Sequence, residues 1–449
     1  MLRIPTAIPN VMLMHIDRRR ATSSSYVGRC TNMSKSQEFA VANCGQLLTL
    51  GGSASARRGA AMRELGILKD AAMLIREGRV VLTGAWKEVE SAAGALSEEI
   101  DAGGKLVTPG FVDAHTHLVF GGNRLEEFER RAGGESYQSI AASGGGILST
   151  VRQTRSASEQ ELEASARDRL GWVIRNGTTT IEIKSGYGLS LTDETKILQV
   201  AQRLKDMVRV VPTFLGAHEI PEEFRADRSG YIDLVVNEML PAVRRDRLAE
   251  YVDVFCESHV FSPAETAQIV RAAQRLGLPA RLHVDQLKDS EGAALAASLG
   301  AVTADHLECA SSAGIQALKQ ANVQPVLLPG SVYALGSHRY APAREMIDAG
   351  LPVVLASDFN PGSSPTPSIP MIISLAVTQM KMTVAEAISA VTMNPAYSLS
   401  RGHLVGSLEP GKIADFVIHQ FKDYRELGYY FGIEPAEQVF MGGRRVYSR

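Results

Sequence analysis

The chain has 449 residues, 45% hydrophobic and 21% charged, with a formal net charge of −2. That length suits one barrel of roughly 250 residues or more with a smaller attached domain. The near-neutral charge gives no electrostatic case for nucleic acid, and no stretch approaches the ~20 consecutive apolar residues of a membrane span.

Residues 1–37 are set apart. The first 32 carry Arg18-Arg19-Arg20 and a Thr-Ser-Ser-Ser run, with Asp17 as their only acidic residue. They read as a disordered or over-extended N-terminus, with a targeting segment or a true start at Met33 as alternatives, and no ordered fold is expected before about residue 38. Residues 38–104 hold short strands and turns, such as Gln46–Thr49 and Arg79–Leu82. Residues 401–449 hold more, such as Asp415–Ile418 and Gln438–Phe440. Each piece is too short to fold well alone, so both chain ends are expected to build one small β-sandwich domain. Of the four cysteines, Cys30, Cys44, Cys256 and Cys309, none has a Cys-x-x-Cys partner. Neither a zinc ribbon nor a disulfide framework is suggested, and Cys256 and Cys309, in apolar runs, read as buried free thiols in a reducing cytoplasm.

Between these flanks, residues 105–400 repeat one pattern: a short apolar run, a polar or Gly-rich turn, then an amphipathic stretch. The runs are Leu106–Leu118, Thr178–Lys184, Val210–Ala217, Val252–Glu257, Ala280–Val284, Val302–Asp305, Val323–Leu328 and Pro352–Ala356. Apolar residues at helical spacing mark Glu159–Asn176 and Pro263–Leu276 between them, and Ile372–Leu399 is expected to seal the barrel. Short runs rich in Val and Ile alternating with helices imply parallel strands buried on both faces. Eight such units imply an α/β fold of the (β/α)8 TIM-barrel type.

The strand ends carry the chemistry. His115 and His117 fall on the first strand, Lys184 ends the second, His218 the third and Glu257 the fourth. His283 lies on the fifth and His306 on the sixth, and Asp358 ends the eighth. Active sites of this fold form at the C-terminal strand ends, so five histidines and an aspartate converge on one mouth. A His-x-His pair alone is weak evidence, because ten histidines in 449 residues give roughly 0.2 such spacings by chance. On a strand, however, residues i and i+2 share a face.

The stretch Val107-Thr-Pro-Gly-Phe-Val-Asp-Ala-His-Thr-His117 resembles the first barrel strand of the amidohydrolase superfamily. The resemblance implies His115, His117, His283 and Asp358 as ligands of one divalent metal ion per subunit, zinc or iron. Lys184 or Glu182 would bridge a second ion in two-metal members, but Ser185-Gly186-Tyr187 after Lys184 reads as a substrate loop, and one metal is preferred.

Further stretches resemble the imidazolonepropionase family: Phe120-Gly-Gly-Asn-Arg124, Glu182-Ile-Lys-Ser-Gly-Tyr-Gly-Leu189, Phe214-Leu-Gly-Ala-His-Glu219, His283-Val-Asp-Gln286, Asp305-His306-Leu307 and Ser357-Asp-Phe-Asn-Pro-Gly-Ser363. The resemblance as a whole runs in order from about residue 44 to the C-terminus. The implied reaction hydrolyses the cyclic amide C–N bond of 4-imidazolone-5-propanoate to N-formimidoyl-L-glutamate in histidine degradation. The implied partner is a small molecule with a carboxylate tail. Arg124 offers a planar fork matching that carboxylate, while Tyr187, His218, Gln286, Asn360, Gly362 and Ser363 complete the substrate contacts. Asp358, His306 and Gln286 are the catalytic candidates. Some relatives carry glutamate where Gln286 stands, and glutamine takes no proton at neutral pH, so His306 is the better proton shuttle. Gly144-Gly145-Gly146 lacks the Lys-Ser/Thr context of a phosphate loop and reads as a flexible lid. A hydantoinase- or dihydroorotase-type enzyme and a non-catalytic scaffold are the alternatives, and a homodimer is expected on general grounds.

Overall fold

A computed structural model describes residues 38–449 apart from positions 95, 97, 137, 138, 141 and 142. The reading of residues 1–37, Cys30 included, lies outside the described residues.

Eight strands form the barrel: β5 (Phe111–Asp113), β6 (Thr178–Lys184), β7 (Arg209–Ala217), β8 (Tyr251–Cys256), β9 (Ala280–Val284), β10 (Thr303–His306), β11 (Gln324–Leu327) and β12 (Val354–Leu355). Neighbours pair in parallel from β5 to β12 in chain order. The strands are almost wholly buried, as parallel strands covered on both faces must be. The helices Glu159–Arg175 and Pro263–Arg275 begin where the sequence places them. Ser158 and Ser262 each accept from the backbone three residues on, and Glu161 and Glu265 return the bond, which satisfies amides the first helical turn leaves unpaired.

Seven other strands form a second sheet from both chain ends: β1 (Glu38–Leu48), β2 (Ile67–Arg76), β3 (Arg79–Ala85), β4 (Glu98–Pro109), β13 (Phe416–His419), β14 (Ala436–Met441) and β15 (Arg444–Ser448). Their order is β15-β14-β13-β4-β1-β2-β3. The sheet curls over its own core. Phe39 of β1 and Phe440 of β14 stand three places apart, yet their rings are 6.5 Å apart, and both belong to one buried cluster with Met73 and Phe416.

One sequence boundary is corrected. The run Leu106–Leu118 is not one barrel strand. Its first part belongs to β4, which pairs with β13, and only Phe111–Asp113 enters the barrel. The switch occurs at Pro109-Gly110, where a Cβ on Gly110 would lie 2.2 Å from Thr179 Oγ1. His115 and His117 therefore stand just past the strand. The stretch Ile372–Leu399 is three helices, Ile369–Gln379, Val384–Val391 and Met393–Ser398.

No ladder joins β12 to β5. Closure comes from the segments beyond them. Asp358 N donates to the His115 carbonyl (3.0 Å) and His117 N to the Phe359 carbonyl (2.9 Å). Below these bonds the Asp113 carboxylate accepts from Ser357 N (3.0 Å) and Ser357 Oγ (2.5 Å).

Candidate metal centre

The closing segments bring His115, His117 and Asp358 together, and His115 also neighbours His283 and His306. His115, His117, His283, His306 and Asp358 are all buried. His115, His117 and Asp358 place ligand atoms within 4.8 Å of one another, and so do His115, His283 and His306. His115 is common to both groups. Asp358 Oδ1 lies 3.6 Å from His115 Nε2 and 3.5 Å from His117 Nε2. Asp358 and His306 hold backbone φ angles of 53° and 81°, conformations that non-glycine residues adopt mainly where surrounding structure enforces them.

Whether a cation fits is decided by the ring nitrogens. His115 Nδ1 is hydrogen-bonded to Asp305 Oδ2 at 2.6 Å and His283 Nδ1 to Asp253 Oδ1 at 3.0 Å. A carboxylate accepts, so both Nδ1 atoms carry the proton and both Nε2 atoms are bare. Those Nε2 atoms, with Nδ1 of His117, are buried without a hydrogen-bond partner. Buried polar atoms in a native fold have partners, and a cation supplies the missing one. Burial holds His115 and His117 well below the ordinary histidine pKa and brings His283 to about 4. These rings are thus neutral, the form that binds metal. Burial lifts the Asp358 carboxyl to about 7 in the ion-free chain, with His306 acting against it.

Lys184 and Glu182 lie together in a buried row of charges. Lys184 Nζ is fully buried, 2.9 Å from Glu182 Oε1, 2.8 Å from Asp253 Oδ2 and 3.9 Å from Asp305 Oδ2. The ammonium joins the carboxylates that hold His283 and His115, giving a row His283–Asp253–Lys184–Asp305–His115. Burial opposes the charge, but Asp253, Glu182 and Asp305 outweigh it and raise the lysine pKa. Asp253 and Asp305 are the residues sequence reasoning missed. For Asp253 the signal was a charged residue inside an apolar strand, Val252-Asp253-Val254, which demands a partner.

Of the expected substrate residues, Tyr187 and His218 adjoin the cluster. The His218 ring stacks on His117 at 5.1 Å and lies 5.3 Å from the Tyr187 ring. Burial lowers the His218 pKa to about 4. Arg124 is buried with its guanidinium on Glu127 (2.7 Å). A Cβ on Gly362 would lie 1.9 Å from its NH1, so glycine there admits the arginine. Asn360 shapes the turn after Asp358. Its Oδ1 accepts from Gly362 N and Ser363 N, and its Nδ2 donates to the Asp358 carbonyl and to Ser363 Oγ. Gln286 is half-buried beyond β9. His306 Nδ1 lies 3.3 Å from Glu308 Oε1. Burial acts against its protonation, but Glu308 and Asp358 outweigh burial and raise its pKa. The Gly144–Gly146 loop is joined to this region through Gly146 N, which donates to Glu127 Oε1. His259, His338 and His403 are in neither group of candidate ligands.

Residues 106–446 match the amidohydrolase family. The chain is 57% identical over 414 residues to an imidazolonepropionase of Solibacter usitatus, covering 92% of this chain and 99% of that one. It is 47% identical to an imidazolonepropionase of Geobacillus kaustophilus, covering 89% and 96%. Among solved structures, E. coli guanine deaminase superposes with a TM-score of 0.69 at 16% identity, covering 93% of this chain and 100% of that one. A zinc-bound adenosine deaminase of Xanthomonas campestris gives 0.65 at 17%, covering 91% and 92%. At such identities these two share the fold alone. The chain belongs to the amidohydrolase family and, within it, to the imidazolonepropionases.

Proposed function

We propose that this chain hydrolyses the ring C–N bond of 4-imidazolone-5-propanoate to N-formimidoyl-L-glutamate, with His115, His117, His283 and Asp358 holding one divalent ion, zinc or iron. The observation that carries this is the pair of bare, buried Nε2 atoms on His115 and His283, with the Asp358 carboxylate 3.6 Å from the first and 3.5 Å from His117 Nε2. When bound, the ion polarises the ring carbonyl and lowers the pKa of water towards 7.

The chain's own groups do the rest. Arg124, held flat by Glu127, presents a fork for the propanoate tail. Tyr187 and His218 contact the ring. Asp358 takes a proton from the attacking water and passes it to the leaving nitrogen, while the water oxygen stays on the carbonyl carbon as the new carboxylate. His306, held by Glu308, orients the water or the leaving group. Gln286 hydrogen-bonds the ring and takes no proton. Asn360, Gly362 and Ser363 offer the polar end of the substrate a turn of backbone and hydroxyl.

The reading includes a homodimer in the cytoplasm. Cys44, Cys256 and Cys309 are free and buried, in keeping with a reducing compartment. No helix among the described residues is long and apolar enough to cross a membrane.

The test is loss of imidazolone absorbance, with the substrate generated in place from urocanate, alongside hydantoin and dihydroorotate as competitors. Turnover of the imidazolone alone is expected. Absence of turnover by metal-loaded protein overturns the reading, and elemental analysis of protein purified without added metal decides zinc against iron.

A further inference from the structure

Glu194 lies in the helix Leu191–Arg203 and is buried, yet it has no part in capping that helix. The cap is Ser190, whose hydroxyl accepts from Asp193 N. The Glu194 carboxylate instead reaches back to the preceding loop. Oε2 accepts from Gly186 N (2.9 Å), and Oε1 accepts from Gly188 N and Leu189 N (2.7 Å each). From the opposite side Arg155 donates to the carbonyls of Gly188 (2.6 Å) and Leu189 (3.0 Å). Both polar edges of the backbone around Tyr187 are thus held by buried or half-buried charged groups, the stronger class of hydrogen bond.

The loop needs such holding. Gly186 and Leu189 stand at φ angles of 108° and 51°. The Gly186 carbonyl also accepts from His218 Nδ1 at 2.9 Å, which places the histidine's proton on Nδ1 and leaves Nε2 as an acceptor. Whatever fixes Gly186 therefore fixes two things: the position of the Tyr187 ring and the tautomer of His218.

We propose that Glu194, seconded by Arg155, is a positioning residue that presents Tyr187 and His218 to the substrate. The proposal rests on the reading of those two as substrate contacts. Glu194 touches no metal ligand, so its effect falls on substrate capture and not on the ion. Glutamine at 194 must turn its NH2 towards amide donors, either that of Gly186 or those of Gly188 and Leu189, and releases one edge of the loop.

The test combines hydrogen exchange with kinetics on Glu194→Gln, Arg155→Gln, Tyr187→Ala and the Glu194→Gln/Tyr187→Ala double variant. Exchange across 185–189 is expected to quicken about ten-fold in Glu194→Gln with metal content unchanged. KM rises about ten-fold while kcat stays within about two-fold, and in the Tyr187→Ala background Glu194→Gln adds less than about two-fold. Arg155→Gln gives the same pattern more weakly and serves if the first variant fails to fold. Unchanged exchange, full additivity in the double variant, or metal loss in step with activity overturns the proposal. Faster exchange with a normal KM in Tyr187→Ala instead overturns the substrate reading of Tyr187, and with it the catalytic half of the proposal.

Discussion

At the scale of single residues, the candidate ligands were legible and their supports were not. His115-x-His117, His283 and Asp358 sit at strand ends, so strand counting alone brings them to one mouth. Asp253 and Asp305 are different. That Asp305 orients His115 follows from which inward positions face each other across a closed barrel, and one sequence does not contain that register. Gly362 shows the same gap. The sequence offers it as a substrate contact, but what packs against it is the Arg124 guanidinium, some 240 positions earlier in the chain. Gly362→Ala is expected to push Arg124 off its seat on Glu127. KM should rise roughly ten-fold, about 1.4 kcal/mol of lost substrate binding, with metal content unchanged by elemental analysis. A normal KM would remove Arg124 from the substrate site.

At the scale of elements, the amphipathic helices and most barrel strands were readable, because period and capping residues agree there. The first strand was misread, since a continuous apolar run says nothing about a change of sheet at Pro109-Gly110. His419 sits at that change. It lies on β13 with Nε2 on Thr108 Oγ1 (2.9 Å) and its ring against Phe111 (5.9 Å). Burial holds its pKa down to about 3. An unfolded histidine takes up a proton near pH 6.5, whereas the folded one resists until about pH 3. The unfolded state therefore binds more protons throughout that window, and stability falls as pH drops through it. Between pH 6.5 and 5 the loss from this one group is about 1–2 kcal/mol. Urea unfolding at both pH values, for the wild type and for His419→Gln, isolates the term. The variant starts less stable and shows the shallower slope, and equal slopes would refute the assignment.

At the scale of the whole molecule, the site is also the seam. The barrel lacks a ladder between β12 and β5, and the bonds that close it run through His115, His117, Asp358 and Phe359. On the proposed ligand set of His115, His117, His283 and Asp358, an ion would tie the ends of the first, fifth and eighth strands and would bind only when all three are in place. Removing it by chelation is expected to lower the melting temperature and to make that temperature depend on free metal. At a thousand times Kd the ion adds about 4 kcal/mol. Calorimetry of chelated and metal-restored protein reads this directly, and identical melting temperatures would place the ion outside the seam.

The second sheet has a consequence for synthesis. Chain growth delivers β1 to β4 first, but the outer edge of β4 pairs with β13, which starts at Phe416. While the whole barrel is translated, that edge has no mate, and an unmatched edge recruits other chains. The last thirty or so residues are therefore the step that ends the chain's exposure to aggregation, and a nascent chain stalled before Phe416 carries a nearly complete hydrolase barrel beside an open template for β-pairing.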